Sequence, residues 1–140
     1  MALKRSLRTA ALVTAVGAAA LAAPSAASAA KYTPQQICGS GYQTISSFNL
    51  PGSTSTVYLT YNNSTGKNCV TTLKHSYIGT NTDTGAYITY GDGSGRKEDR
   101  GNFGAYAGPV YLSAAGQCIY YGGLDYNSGG WWGMGPSWCS

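Results

Sequence analysis

The chain has 140 residues, 43% hydrophobic and 10% charged, with 20 Gly, 12 Tyr and a formal net charge of +4. That size and balance fit one small domain and exclude a two-domain enzyme, a coiled coil and a charge-rich disordered tail. Three of the nine Lys/Arg lie at Lys4, Arg5 and Arg8, and the other six face five Asp/Glu, a balance of +1 that is too small to draw in nucleic acid or anionic lipid.

Residues 1–29 read as a secretory signal peptide. The three cations open it, Ala10 to Ala23 forms an apolar stretch, Pro24 follows, and Ala27-Ser28-Ala29 supplies an A-x-A cleavage site. The apolar stretch falls short of the roughly 20 residues that cross a bilayer. There is no twin-Arg pair and no Cys just after the cleavage site, so the reading carries no lipid anchor. Residues 30–140 are then expected as one exported domain.

Within that domain Tyr42 to Ile45 is the first strand signal. Val57-Tyr58-Leu59-Thr60-Tyr61 alternates, with Val57, Leu59 and Tyr61 on one face, and Cys69 to Leu73 returns after the polar loop Asn62 to Lys67. Ala86 to Tyr90 is a further strand, bounded by Gly-rich breaks at Gly91–Gly95 and Gly101–Gly104. Between the breaks, Arg96-Lys97-Glu98-Asp99-Arg100 mixes charges that nearly cancel and reads as a solvated loop, or as a docking contact for another protein. Gly108-Pro109 introduces Val110-Tyr111-Leu112, Ala115-Gly116 turns, and Cys118-Ile119-Tyr120-Tyr121 comes back as a second hairpin. The two hairpins share Val-Tyr-Leu, a turn, and Cys with a branched aliphatic, a pattern of internal duplication. No segment holds a 3.6-residue period between caps. The expected fold is all-β, a small antiparallel β-sandwich or barrel of about six strands with two disulfides.

Cys38, Cys69, Cys118 and Cys139 supply those disulfides, because an exported chain keeps them and no close pair such as C-x-x-C offers a metal site. Local pairing, Cys38 with Cys69 and Cys118 with Cys139, is favoured. The alternative joins Cys69 to Cys118 across the two hairpins and Cys38 to Cys139. Only 13 Leu, Ile and Val lie in residues 30–140, so cross-links add to a thin core.

Cys38-Gly39-Ser40-Gly41-Tyr42, Thr56 to Asn62, Thr65-Gly66-Lys67-Asn68-Cys69-Val70, Tyr106-Ala107-Gly108-Pro109-Val110-Tyr111 and Ala114-Ala115-Gly116-Gln117-Cys118 follow one another along the chain. These segments resemble the spore-associated protein A family of filamentous actinobacteria. As an ordered set they span most of the exported part. Residues 124–138, rich in Gly and Trp, depart from the pattern. The resemblance implies a small exported protein found with aerial hyphae and spores. It brings no activity, and therefore no catalytic residue to carry over.

The chemistry-bearing side chains are few. His75 is the only histidine and follows Lys74 at a strand end, where an exposed imidazole is ordinary. Gly91-Asp92-Gly93-Ser94-Gly95 places an extra Gly between Asp and Ser relative to a trypsin-like nucleophile loop, and no G-x-S-x-G elbow is present. Asp92 or Asp125 could serve a glycosidase only by facing another carboxylate across a cleft. Asp83 with Asp92 lacks the ligand spacing of a calcium loop, so neither metal nor cofactor is expected. Asn62 and Asn63 both fit N-x-[ST] and read as a polar turn.

The aromatic residues are the most informative. Trp131, Trp132 and Trp138 sit in a segment too Gly-rich for a regular core strand, and serve either to cap a meagre core or as exposed anchors for a sugar or a protein. Tyr120 and Tyr121 could extend that surface, while Tyr58, Tyr87 and Tyr111 read as outer faces of strands. The expected function is a secreted, non-enzymatic binding module of the spore or hyphal surface. Its partners would be other secreted proteins or cell-wall and spore-surface glycan. The alternatives are an adaptor in a secreted multiprotein assembly, of the kind used against competitors and joined by strand addition, and a small hydrolase using Asp92, Asp125 or His75.

Overall fold

The computed structural model describes residues 32–139, so the signal-peptide reading of residues 1–29 lies outside the described residues. A short helix, α1 (Pro34–Cys38), comes first, followed by β1 (Gln43–Asn49), β2 (Ser55–Asn62) and β3 (Lys67–Lys74). After these come β4 (Thr82–Tyr90), β5 (Lys97–Phe103), β6 (Tyr106–Ser113), β7 (Ile119–Asp125) and β8 (Trp132–Ser137). The strands form two four-stranded antiparallel sheets, ordered β1-β2-β3-β6 and β5-β4-β7-β8.

The alternation read from the sequence decides what lies between the sheets. Val57 and Leu59 from β2, Val70 from β3, Ala86 and Ile88 from β4, Val110 from β6, and Ile119 and Tyr121 from β7 make one buried cluster. Two polar links tie the sheets through this layer. Thr72 donates to the Gly85 carbonyl at 2.8 Å, and the Tyr121 hydroxyl meets Ser46 Oγ at 2.6 Å. At one end the buried Lys74 ammonium donates to the carbonyls of Thr80 (2.7 Å) and Phe103 (3.0 Å).

The fold has eight strands where about six were expected, and the two additions have clear reasons. Residues 96–100 are not a solvated loop, because Lys97–Phe103 is an edge strand, whose geometry puts Glu98 and Arg100 on one face and Asp99 on the other. Edge strands tolerate charge, which also blunts unwanted pairing. Gly101 therefore sits inside a strand rather than in a break. The other addition, β8, is an edge strand as well. Five of its six residues are exposed, so it is no core strand.

The second hairpin is a correction. β2 and β3 do pair as a hairpin, but β6 pairs with β3 in one sheet while β7 pairs with β4 and β8 in the other. The turn at Ala115-Gly116 crosses between sheets, and the likeness to the first hairpin is one of local composition. The local helix was also missed. Thr33 caps α1 reciprocally with Gln36, and Pro34 opens it. Five residues are too few to show a period.

Cys38 bonds Cys69 and Cys118 bonds Cys139, the favoured pairing. The first clamps α1 to the outer face of β3, where Tyr111 donates to the Cys38 carbonyl at 2.8 Å. The second ties Cys139, two residues past the end of β8, to Cys118, the residue before β7.

Burial raises the pKa of the Tyr87, Tyr111 and Tyr121 phenols and lowers that of Lys74. Each phenol therefore keeps its proton in the fold above the pH, about 10, at which the unfolded chain loses it. Its contribution is complete below pH 10 and is lost as the pH rises through the higher folded value. Lys74 has the opposite sign and recovers stability as the pH climbs toward about 10.5. Tyr126, pushed up to about 12 by its hydrogen bond with Tyr77, acts in the same direction, so with four phenols against one amine the urea midpoint is expected to fall between pH 9 and pH 11, and less steeply in Tyr121→Phe. A flat midpoint over that range would contradict the burial of Tyr121.

Candidate functional site

The outer face of the β5-β4-β7-β8 sheet gathers most of the functional candidates. Tyr87 projects there from the centre of β4, between inward Ala86 and Ile88. Its ring lies over two glycines. A Cβ on Gly122 would run into Tyr87 Cε1 and the Trp132 carbonyl, and one on Gly133 would run into the Tyr87 hydroxyl. The Gly-rich composition of β7 and β8 thus makes a flat seat for an aromatic ring. Trp131 stands next to it, with ring centroids 5.4 Å apart and planes at 85°. Trp131 also covers Gly85, whose added Cβ would lie 2.6 Å from its Cη2 and 3.2 Å from Leu124 Cγ.

Two arginines complete the face. Arg96 Cζ lies 4.0 Å from the Tyr87 ring centroid and 5.1 Å from that of Trp131, while Arg100 Cζ lies 5.9 Å from Trp131. Each guanidinium also has a carboxylate. Arg96 Nε donates to Glu98 at 2.7 Å, and Arg100 makes a bidentate pair with Asp83 at 3.0 and 2.8 Å. The hydrogen bond from Arg100 holds the Asp83 carboxyl below the usual carboxylate range. Both pairs are half exposed, so solvent screening leaves them little stabilising value. Their effect is to fix the two planar cations against the rings, an arrangement in which cation–π attraction and outward-facing donors coexist.

The predicted aromatic set divides. Trp131 is half-buried and acts both as the cap over Leu124 and as part of the surface. Tyr120 is half-buried on the same face of β7 as Gly122. Tyr121 is not part of any surface: it is 1% exposed, because the period of 2 turns it inward against Phe48 and Ser46. Trp132 is 51% exposed, with its indole N–H on the Ser128 carbonyl at 2.8 Å. Trp138, 48% exposed, lines a separate cavity of about 310 Å³ with Ile45, Tyr61 and Ala114. Tyr87, Arg96 and Arg100 join the site although Tyr87 had no assigned role. Arg96 and Arg100 lie in the charged run that also reads as a docking contact.

The hydrolase candidates do not converge. Asp92 sits in the β4–β5 turn and accepts from the Ser94 N–H at 2.8 Å, as turn chemistry requires. Asp125 is buried beside the opposite end of β4, paired in register with Thr84, and accepts from Thr54 at 2.5 Å and from the Asn127 N–H at 3.0 Å. The length of β4 from Thr84 to Tyr90, six steps or about 20 Å, separates the two. Asp83 is engaged by Arg100 and lies equally far from Asp92 along β4. His75 contacts Thr56 at 2.5 Å and has no carboxylate partner among the described residues. Asn62 closes the β2–β3 turn by accepting from the N–H of Ser64 at 2.9 Å.

The chain is 42% identical over 128 residues, 86% of its length and 82% of the relative's, to Spore-associated protein A of Streptomyces coelicolor. No family model and no solved structure matches it. No helix among the described residues is long and apolar enough to cross a membrane.

Proposed function

The chain belongs to the spore-associated protein A family, and from that premise we propose that it is exported and works at the spore or hyphal surface as a non-enzymatic module that binds another secreted protein. The observation that carries this reading is the Tyr87–Trp131–Arg96–Arg100 face. Trp, Tyr and Arg are the residues that dominate binding energy at protein interfaces, and here they stand preassembled on a rigid sheet. A sugar would need a bare aromatic face for stacking, and Arg96 already covers the Tyr87 ring at 4.0 Å. A protein partner needs no such bare face, since Arg96 and Arg100 present donors to carboxylates or carbonyls.

The test is capture from culture supernatant on the immobilised protein. A stoichiometric secreted protein is expected on the wild type, with affinity reduced about 30-fold by Arg96→Ala, the scale of one interfacial hot spot. Arg96 is surface-exposed, so the melting temperature serves as the control for folding. Capture unaffected by Arg96→Ala joined to Arg100→Ala removes this face from the interface. Retention on chitin or peptidoglycan that is lost in Trp131→Ala would move the reading to glycan.

The adaptor reading gains from a second, separate apolar region. Trp132, Met134 and Trp138 are exposed on and just beyond edge strand β8. An adaptor would retain one partner in the Arg96 variants and lose the other.

A further inference from the structure

The other sheet carries a cavity that the binding face does not use. On the outer side of β2 and β3, a partly open cavity of about 400 Å³ is lined by Tyr32, Tyr58, Leu73, His75, Ile78 and Ala105. That volume falls within the roughly 300–1,000 Å³ of small-molecule sites. Tyr58 points there because Val57 and Leu59 on either side of it face the core, and Tyr32 is held edge-on to Tyr106 at 5.0 Å between ring centroids.

The polar chemistry of this cavity is narrow. Lys74 borders it, but its ammonium is committed to the Thr80 and Phe103 carbonyls, so among the described residues no free Lys or Arg cation lines the cavity. His75 is fixed by a chain of two hydrogen bonds. The Asn49 carbonyl oxygen can only accept, so it takes the Thr56 hydroxyl hydrogen at 2.6 Å. Thr56 Oγ1 must then accept from His75, which places the imidazole hydrogen on Nε2 at 2.5 Å. In the neutral ring Nδ1 is left as an acceptor, and it has no partner among the described residues.

We propose that this cavity binds a small neutral ring-bearing molecule with one hydrogen-bond donor, a phenol in the simplest case, whose O–H donates to His75 Nδ1. The aromatic and aliphatic walls take the apolar body, and the single acceptor selects the donor. His75 is exposed, so water serves Nδ1 in the free protein; a ligand that covers the ring displaces this water, and one without a donor leaves the acceptor unpaired, a penalty that separates a phenol from its methyl ether.

The experiment titrates the secreted protein with 1-naphthol and with 1-methoxynaphthalene, which has the same ring system and no donor, at pH 8. Calorimetry and the imidazole ¹⁵N shifts of His75 are read together. Saturable binding of 1-naphthol is expected, at least about tenfold tighter than the ether. The ¹⁵N spectrum should show hydrogen on Nε2 before and after addition, with only Nδ1 shifting. His75→Phe should bring 1-naphthol down to the affinity of the ether. No saturation by 1-naphthol at millimolar concentration, equal affinity for the two probes, or a hydrogen found on Nδ1 would each overturn the proposal. The two-probe comparison on the wild type does not depend on the variant folding. Loss of the protein-binding face by Arg96→Ala should leave 1-naphthol binding intact, since the two sites occupy opposite sheets.

Discussion

Reduction of both disulfides is expected to unfold the domain at or near 37 °C. Cys38–Cys69 and Cys118–Cys139 span 31 and 21 positions, and loops of that length stabilise by roughly 3–4 kcal/mol each in the loop-entropy model. A domain of this size has only about 5–15 kcal/mol in total, and this one draws on 13 Leu, Ile and Val. The two bridges should also fail differently. Cys118→Ala with Cys139→Ala frees the end of β8, so amide exchange should rise first at residues 132–137 while the β1-β2-β3-β6 sheet stays protected. Cys38→Ala with Cys69→Ala instead releases α1 and leaves a void at Cys69, which is fully buried. A melting temperature unmoved by strong reductant would show that neither bridge carries the fold.

Fold class and disulfide pairing were legible because they rest on local signals. Strict alternation at Val57 to Tyr61 needs nothing beyond the strand itself, and local pairing of cysteines follows from chain proximity. The sheet assignment of β6 and β7 was not legible, since Ala115-Gly116 reads the same whether the chain turns within a sheet or crosses to the other. Charge hid β5. The run of Lys97, Glu98, Asp99 and Arg100 reads as solvated because its signs, +, −, − and +, hold no period of 2 and its residues are all polar, so no local strand signal is present. The site was half legible. Trp131 and Tyr120 stood out by type, but Tyr121, one position along, belongs to the core. The partners of Trp131 come from β4 and β5, some 30 to 45 positions earlier, and no local pattern announces them. The seat beneath Tyr87 was written in Gly122 and Gly133, whose meaning depends on which strand lies next to them.

The neighbouring Gly123 makes the opposite demand on the same strand, and Gly123→Val is expected to destabilise the domain by about 2–5 kcal/mol. Gly123 faces inward, where an added Cβ would lie 2.8 Å from the Gly85 carbonyl oxygen and 2.8 Å from Val57 Cγ2, and against Thr72 Oγ1. Two of those three neighbours form the hydrogen bond that ties the sheets, and the third is a fully buried core side chain. Room can be made only by pushing Thr72 off the Gly85 carbonyl, which strands a buried acceptor, or by moving β7 away from β4. In a domain of about 100 residues the loss corresponds to a melting temperature lower by roughly 10–30 °C. A mutant cycle isolates the cause: Gly123→Ala should cost about 0.5–1 kcal/mol less in a Thr72→Ala background, where the obstructing oxygen is gone. An unchanged urea midpoint for Gly123→Val, or strict additivity in the cycle, would mean that the sheets do not close on one another through Thr72.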